Sequence, residues 1–172
     1  FDMKKLFHIN AEYIRALSPE AFAGIANEYF QLTNWQPINF DLSVLSDLSS
    51  PIQERIEKLA DIRNLIDWLF NEEPATETDP KEIKKIMKSM SADKVTDVLD
   101  LAIEHLGKCD WNEEVIGETI NGIGQLLEAK SQVPIRVAVT GRRIGLPLFK
   151  PMEILGRQKV VARLQKTRAE LG

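Results

Sequence analysis

Apolar residues recur at three- and four-residue intervals through most of this chain, the spacing of amphipathic helices rather than the alternation of strands. Residues 3–17 place Met3, Leu6, Phe7, Ile9, Tyr13, Ile14 and Leu17 mostly on one broad face and predict a first helix. Ser18-Pro19-Glu20 is a start signal: a capping hydroxyl, a proline where no N–H is needed, and an early acid. The helix it opens runs through Phe22, Ile25, Ala26, Tyr29 and Phe30. Residues 33–50 read as loop, with Asn34, Pro37, Asn39 and serines ahead of Pro51, and Trp35 and Phe40 are expected to pin that loop to the body. Pro51 is expected to start a long helix through Ile52, Ile56, Leu59, Ile62, Leu65, Ile66 and Leu69. On such a helix Arg55 and Arg63 lie two turns apart and project from a similar face. Each also has acids within reach for intrahelical ion pairs, among them Glu54, Asp61 and Asp67.

Asn71–Pro80 breaks the pattern with acids, two prolines and no large apolar residue, so a subdomain boundary is expected there. Beyond it, Asp79-Pro80 should cap a helix over Lys81–Met90, and Ser91 another that buries Val95, Val98, Leu99, Ala102 and Leu106 before Gly107. Asn112 should cap a helix over Glu113–Lys130, although Gly117, Gly122 and Gly124 each cost about 1 kcal/mol there relative to alanine. Val133–Val139 reads as an extended apolar run interrupted by Arg136. A turn with Gly141, Arg142, Arg143 and Gly145 follows, then Leu148-Phe149, a helix-starting Pro151 and a glycine stop at Gly156. The last helix, Arg157–Leu171, should pack Val160, Val161 and Leu164 and turn its basic residues outward. The expected fold is all-α: two packed helical subdomains, 1–73 and 79–172, with at most a short extended segment near Val133–Val139.

Composition is ordinary for a protein with a buried core: 172 residues, 44% hydrophobic and 28% charged. The single cysteine, Cys109, excludes an internal disulfide framework and fits a reducing cytoplasm, the expected location. No signal peptide and no apolar run of bilayer length is evident, so no membrane partner is expected. The start at Phe1, already in mid-pattern, is that expected of a piece of a longer chain.

Charge changes the picture more than composition does. Residues 131–172 hold nine basic side chains against Glu153 and Glu170, a net of +7. Within a total of −4, that leaves −11 for residues 1–130. An acidic body with a basic tail directs a polyanion to one end. Catalytic chemistry is thin by contrast. His8, His105 and Cys109 lack metal-ligand spacing, so no metal is expected, and Cys109 has no local base to make a nucleophile. Nucleophile-elbow, phosphate-loop and dinucleotide fingerprints are all missing from the sequence.

Two adjacent arginines on a glycine-flanked turn, beside apolar residues and a helix start, suit an anionic, flat ligand such as an unpaired nucleotide. The run Ile135-Arg136-Val137-Ala138-Val139-Thr140-Gly141, then Pro147-Leu148-Phe149 and Glu153-Ile154-Leu155-Gly156, resembles the C-terminal anticodon-binding part of bacterial glutamyl-tRNA synthetases. So do Phe1-Asp2-Met3-Lys4-Lys5-Leu6, with Asn10 and Tyr13-Ile14 behind it, and, more weakly, Gln53-Glu54-Arg55-Ile56-Glu57-Lys58-Leu59. The resemblance implies a module that reads the anticodon loop of a transfer RNA, with Arg136, Gly145, Leu146, Pro147 and Leu148 as contacts. Charge and position add Arg142 and Arg143, and Arg55 and Arg63 complete the candidate set. It also implies a parent ligase that uses ATP to attach glutamate to RNA. This segment lacks that ligase's His-Ile-Gly-His and Lys-Met-Ser-Lys-Ser motifs, which Phe7-His8-Ile9-Asn10 and Lys88-Ser89-Met90-Ser91 resemble only superficially. The segment is therefore expected to need no cofactor, to be inactive alone, and to have as partners the RNA and the catalytic half of its own polypeptide. Two rivals remain: a helical protein-interaction module with an acidic partner, and a ligase of relaxed specificity that charges both glutamate and glutamine RNAs.

Overall fold

The structure is a computed structural model that describes residues 2–37, 40–70 and 80–172, without the side chains at 80, 82, 83 and 87. Every regular element among the described residues is helical. The chain divides into two compact units, Phe1–Phe70 and Asn71–Gly172. The boundary expected at Asn71–Pro80 lies, over residues 71–79, outside the described residues.

The first unit contains α1 (Met3–Arg15), α2 (Pro19–Leu32), α3 (Ser43–Asp47), α4 (Ser49–Gln53) and α5 (Ala60–Ile66), followed by a 3₁₀ turn at Asp67–Leu69. Asp2 caps α1 by accepting from the amides of Lys4 and Lys5, and the Ser18 hydroxyl accepts from Ala21 N at the start of α2. The far end of α1 is closed by a buried side chain: Gln53 Nε2 donates to the carbonyls of Ile14 at 2.6 Å and Leu17 at 3.0 Å. Phe22, Phe30, Leu45, Leu48, Ile52, Ile62 and Ile66 form the core of this unit. Trp35 and Phe40 do pin their loop, meeting Phe30 edge-on at centroid distances of 4.6 and 5.9 Å.

Two expectations fail in this unit. Residues 33–50 are not all loop, because α3 forms within them and buries Val44 and Leu45. The long helix expected from Pro51 is broken between α4 and α5. Asp61 Oδ2 accepts from the amides of Glu57 and Lys58, both at 3.1 Å, so these amides turn to a side chain instead of continuing a helical ladder. The apolar spacing survives the break because Ile52, Ile56 and Ile62 still point into one core.

The second unit contains α6 (Pro80–Ser89), α7 (Ala92–Leu106), α8 (Glu113–Leu127), α9 (Gln132–Thr140), α10 (Phe149–Leu155) and α11 (Arg157–Glu170). Ser91 and Asn112 cap α7 and α8 through the amides of Lys94 and Val115. α7 packs against α8 and α11, α10 lies on α8, and α9 sits among α7, α8 and α11.

The segment expected to be extended, Val133–Val139, is helical. Its composition misled because β-branched residues dominate it. Pro134 falls within the first turn, where its missing N–H breaks no helical bond. Pro134, Ile135, Val137, Ala138, Val139 and Thr140 are all buried, and the polar stripe is reduced to Gln132 and Arg136, too short to reveal a helical period. The last helix also departs from expectation. Val160 and Leu164 are buried as anticipated, but so is Arg163, 1% exposed.

Close packing explains two of the three glycines of α8. A β-carbon at Gly117 would come within 2.9 Å of the Phe149 ring, and one at Gly124 within 2.8 Å of Ser131 Oγ and 2.9 Å of the Ala129 carbonyl. Gly122 faces open space. Gly122→Ala should therefore raise the unfolding free energy by about 0.5–1 kcal/mol through helix propensity alone. Gly117→Ala and Gly124→Ala should lower it, since the crowding outweighs that gain. Urea denaturation of the three variants checks the sign of each.

Candidate nucleic-acid interface

Between α9 and α10 the chain makes a loop, residues 141–148, whose shape is fixed from beneath. Gly141 ends α9 with φ +75°, a conformation that favours glycine, and its amide donates to Val137 O at 2.8 Å. The Thr140 hydroxyl donates to Arg136 O at 2.8 Å and accepts from Arg142 N at 3.1 Å. The α9 carbonyl of Val139 accepts from Arg163 Nη1 at 2.8 Å. Burial pushes the Arg163 guanidinium down to about 10, which still leaves it charged at neutral pH.

Arg136 crosses under the loop. Its Nη1 donates to Leu146 O at 2.7 Å, and a β-carbon placed on Gly145 would lie 3.9 Å from the same nitrogen. The side chains of Leu146 and Leu148 are buried and anchor the far end of the loop. The loop thus brings Arg136, Gly145 and Leu146 together, with Arg142 half-buried and Arg143 and Pro147 exposed. Of these candidates, Leu146 and Leu148 present no side chain to a ligand. Their apolar groups serve the core, as do Val137 and Val139.

Sequence reasoning passed over Ile144. It is 88% exposed, at the tip between Arg143 and Gly145. The available signal was an isoleucine standing alone among turn formers, where no periodicity calls for burial. An apolar tip flanked by arginine offers a flat base both a surface and a charge.

Arg55 and Arg63 belong to the first unit, Arg55 within the break after α4 and Arg63 on α5, so they do not share one helix face. Arg55 Nη1 donates to Pro51 O at 2.9 Å and stands 3.6 Å from the carboxylate of its neighbour Glu54. The Arg63 guanidinium lies over the Trp35 ring, 5.4 Å from its centroid.

The basic tail is spent more on structure than its charge suggested. Besides Arg136 and Arg163, Lys150 pairs with Glu153 at 3.0 Å and Arg168 with Asp100 at 2.8 Å. Arg157 donates to the Cys109 carbonyl and lies over Trp111, 5.6 Å from the ring centroid. Among the described residues no helix is long and apolar enough to cross a membrane.

The fold and loop define an all-helical domain with a braced turn between α9 and α10 that exposes Arg143, Ile144 and Pro147. A sequence model of the Anticodon binding domain family matches residues 21–168, and the chain belongs to that family. It is 37% identical to a glutamate–tRNA ligase of Frankia alni, over 99% of this chain and 36% of the relative. It is 36% identical to one of Streptomyces griseus, over 99% of this chain and 34% of the relative. The chain spans about a third of the length of these relatives. The solved structure of a glutamate tRNA ligase from Elizabethkingia meningosepticum, in complex with its amino acid, superposes with a TM-score of 0.80 at 20% identity. That match covers 100% of this chain and 33% of the other. Glutamate-tRNA synthetase from Elizabethkingia anophelis gives 0.74 at 19% identity, covering 98% and 32%. These two likenesses establish the helical fold.

The bond from Arg136 to Leu146 O is a charge-assisted brace across the loop. Arg136→Ala should lower the unfolding free energy by about 1–2 kcal/mol, measured by chemical denaturation.

Proposed function

We propose that this chain binds the anticodon loop of a transfer RNA of the glutamate type, as the recognition part of a glutamate–tRNA ligase. The observation that carries the reading is the braced loop 141–148, which presents Arg142, Arg143 and Ile144 inside a segment matched by the Anticodon binding domain family. The glutamate specificity is supported by the identity to glutamate–tRNA ligases over 99% of the chain. ATP-dependent activation of glutamate and its transfer to RNA would be the work of the remainder of the polypeptide. ATP–pyrophosphate exchange by this chain, supplied with glutamate and RNA, should stay at background.

The two loop arginines and Arg136, which crosses beneath them from α9, divide the work. Arg142 and Arg143 neutralise phosphates, while Arg136, fixed between apolar neighbours, meets a base edge. Titration with glutamate-type, glutamine-type and unrelated anticodon stem-loops tests this reading. The glutamate-type loop should bind tightest, and a protein that prefers none of the three has another function. Equal affinity for the glutamate and glutamine types would instead mark a ligase of relaxed specificity. Replacing Arg142 and Arg143 by alanine should reduce the slope of log affinity against log salt by roughly 0.7 for each phosphate no longer neutralised, and keep the discrimination. Arg136→Ala should relax discrimination at one nucleotide, by a factor corresponding to about 1–3 kcal/mol. If discrimination stays intact while stability falls, Arg136 is a brace alone.

A further inference from the structure

Among the described residues, half of the eight large apolar side chains left exposed lie on one helix, α1. Met3, Leu6, Ile9 and Tyr13 are 49%, 44%, 54% and 62% exposed. Their spacing of three, three and four residues sets them in one stripe along the helix. α1 already has a face for its own unit, where Ala11 and Ile14 are buried and Phe7 is half-buried. The helix is therefore apolar on two sides, and a second apolar side without cover marks an interaction surface. Lys5 and Glu12 border the stripe on one side, where their charges cancel. Asn10 borders it on the other, tied to the carbonyl of Glu57. Such a surface offers an apolar partner shelter from water and offers a phosphate nothing.

We infer that the stripe seats the remainder of a longer ligase polypeptide, through an apolar face of the body to which glutamate activation is assigned above. Two observations choose this occupant. The relatives match 99% of this chain with only 36% or 34% of their own length, so a ligase of that size carries a further body larger than this one. The four side chains also expose about 400 Å² together, half of the roughly 800 Å² that each side of a stable free complex buries. A separate protein or a second copy needs more than this stripe. A covalently joined body does not, because the tether holds it at an effective concentration on the order of millimolar. A segment joined ahead of residue 1 would enter at the foot of the stripe, beside Met3. The inference rests on the reading of this chain as part of a glutamate–tRNA ligase, and adds to it a contact surface that RNA recognition does not use.

The test compares the 172-residue chain with the polypeptide encoded by its whole reading frame, by hydroxyl-radical footprinting. Met3 and Tyr13 should react roughly fivefold more slowly in the longer polypeptide, as the stripe loses its water. Leu126, 70% exposed on α8, should react at the same rate in both. Leu6→Gln with Ile9→Gln should leave the melting temperature of the 172-residue chain unchanged, since both side chains are exposed. In the longer polypeptide the same double variant should restore the fast reaction of Met3 and Tyr13. Equal rates in the two polypeptides, or slow rates that survive the double variant, overturn the inference, as does a reading frame that adds no residues. So does a 172-residue chain that sediments as a dimer until Leu6 and Ile9 are replaced, which would give the stripe to a second copy. Weaker binding of the glutamate-type stem-loop by the double variant also overturns it, by making the stripe an RNA surface. Failure of the unaltered chain to bind that stem-loop overturns the proposed recognition instead, and the footprint still decides the docking.

Discussion

The candidate interface depends on how the C-terminal end of one buried helix is satisfied. α9 is enclosed by its neighbours, so its last carbonyls cannot turn to water, and a buried helix end without partners costs several hydrogen bonds. Two groups answer that demand, the amide of Gly141 on Val137 and the guanidinium of Arg163 on Val139, and the Thr140 hydroxyl accepts from Arg142 N where the chain turns away. Each fixes the direction in which the chain leaves the helix. Arg136 then crosses back to the carbonyl of Leu146 and sets the return path. A loop held at both ends in this way loses little conformational entropy on meeting a ligand, which favours recognition over mere attraction.

Charge in this protein has two tasks that a count does not separate. The basic tail looks, in sequence, like a surface for a polyanion. In the structure, Arg136, Lys150, Arg157, Arg163 and Arg168 all contact carbonyls, acids or an aromatic ring of the fold. Arg143 and Lys159 are exposed, and Arg142 is half-buried at the loop. The electrostatic field of the tail still acts at a distance, since a buried or paired arginine keeps its charge. Fewer basic groups of the tail stand exposed than its net charge implied.

The same division applies to apolar groups. Leu146 and Leu148 matched a recognition motif in sequence, yet their side chains are core, whereas Ile144, which matched nothing, is the exposed apolar tip. On α1, Met3, Leu6, Ile9, Tyr13 and Ile14 read as members of one apolar face, yet only Ile14 among them is buried and the other four stay exposed.

The sequence by itself determined the helical class, the starts of α2, α7 and α8, and the family. Those rest on local chemistry: a serine or asparagine that takes an orphan amide, a proline where none is needed, and apolar residues at helical spacing. It determined too that Trp35 and Phe40 return to the body, since large aromatic rings in a polar loop have few other stable places. Only the tertiary structure decided that Val133–Val139 is a helix, because a segment buried over most of its surface, with Arg136 as its one polar residue, shows no period. Only it decided that the helix after Pro51 breaks, because the Asp61 carboxylate competes for amides that sequence spacing assigns to a ladder. And only it decided which arginines are bound into the fold, because a guanidinium is claimed by whichever carbonyl or acid the packing brings within reach, and that partner is often distant in sequence: Asp100 for Arg168, Val139 for Arg163.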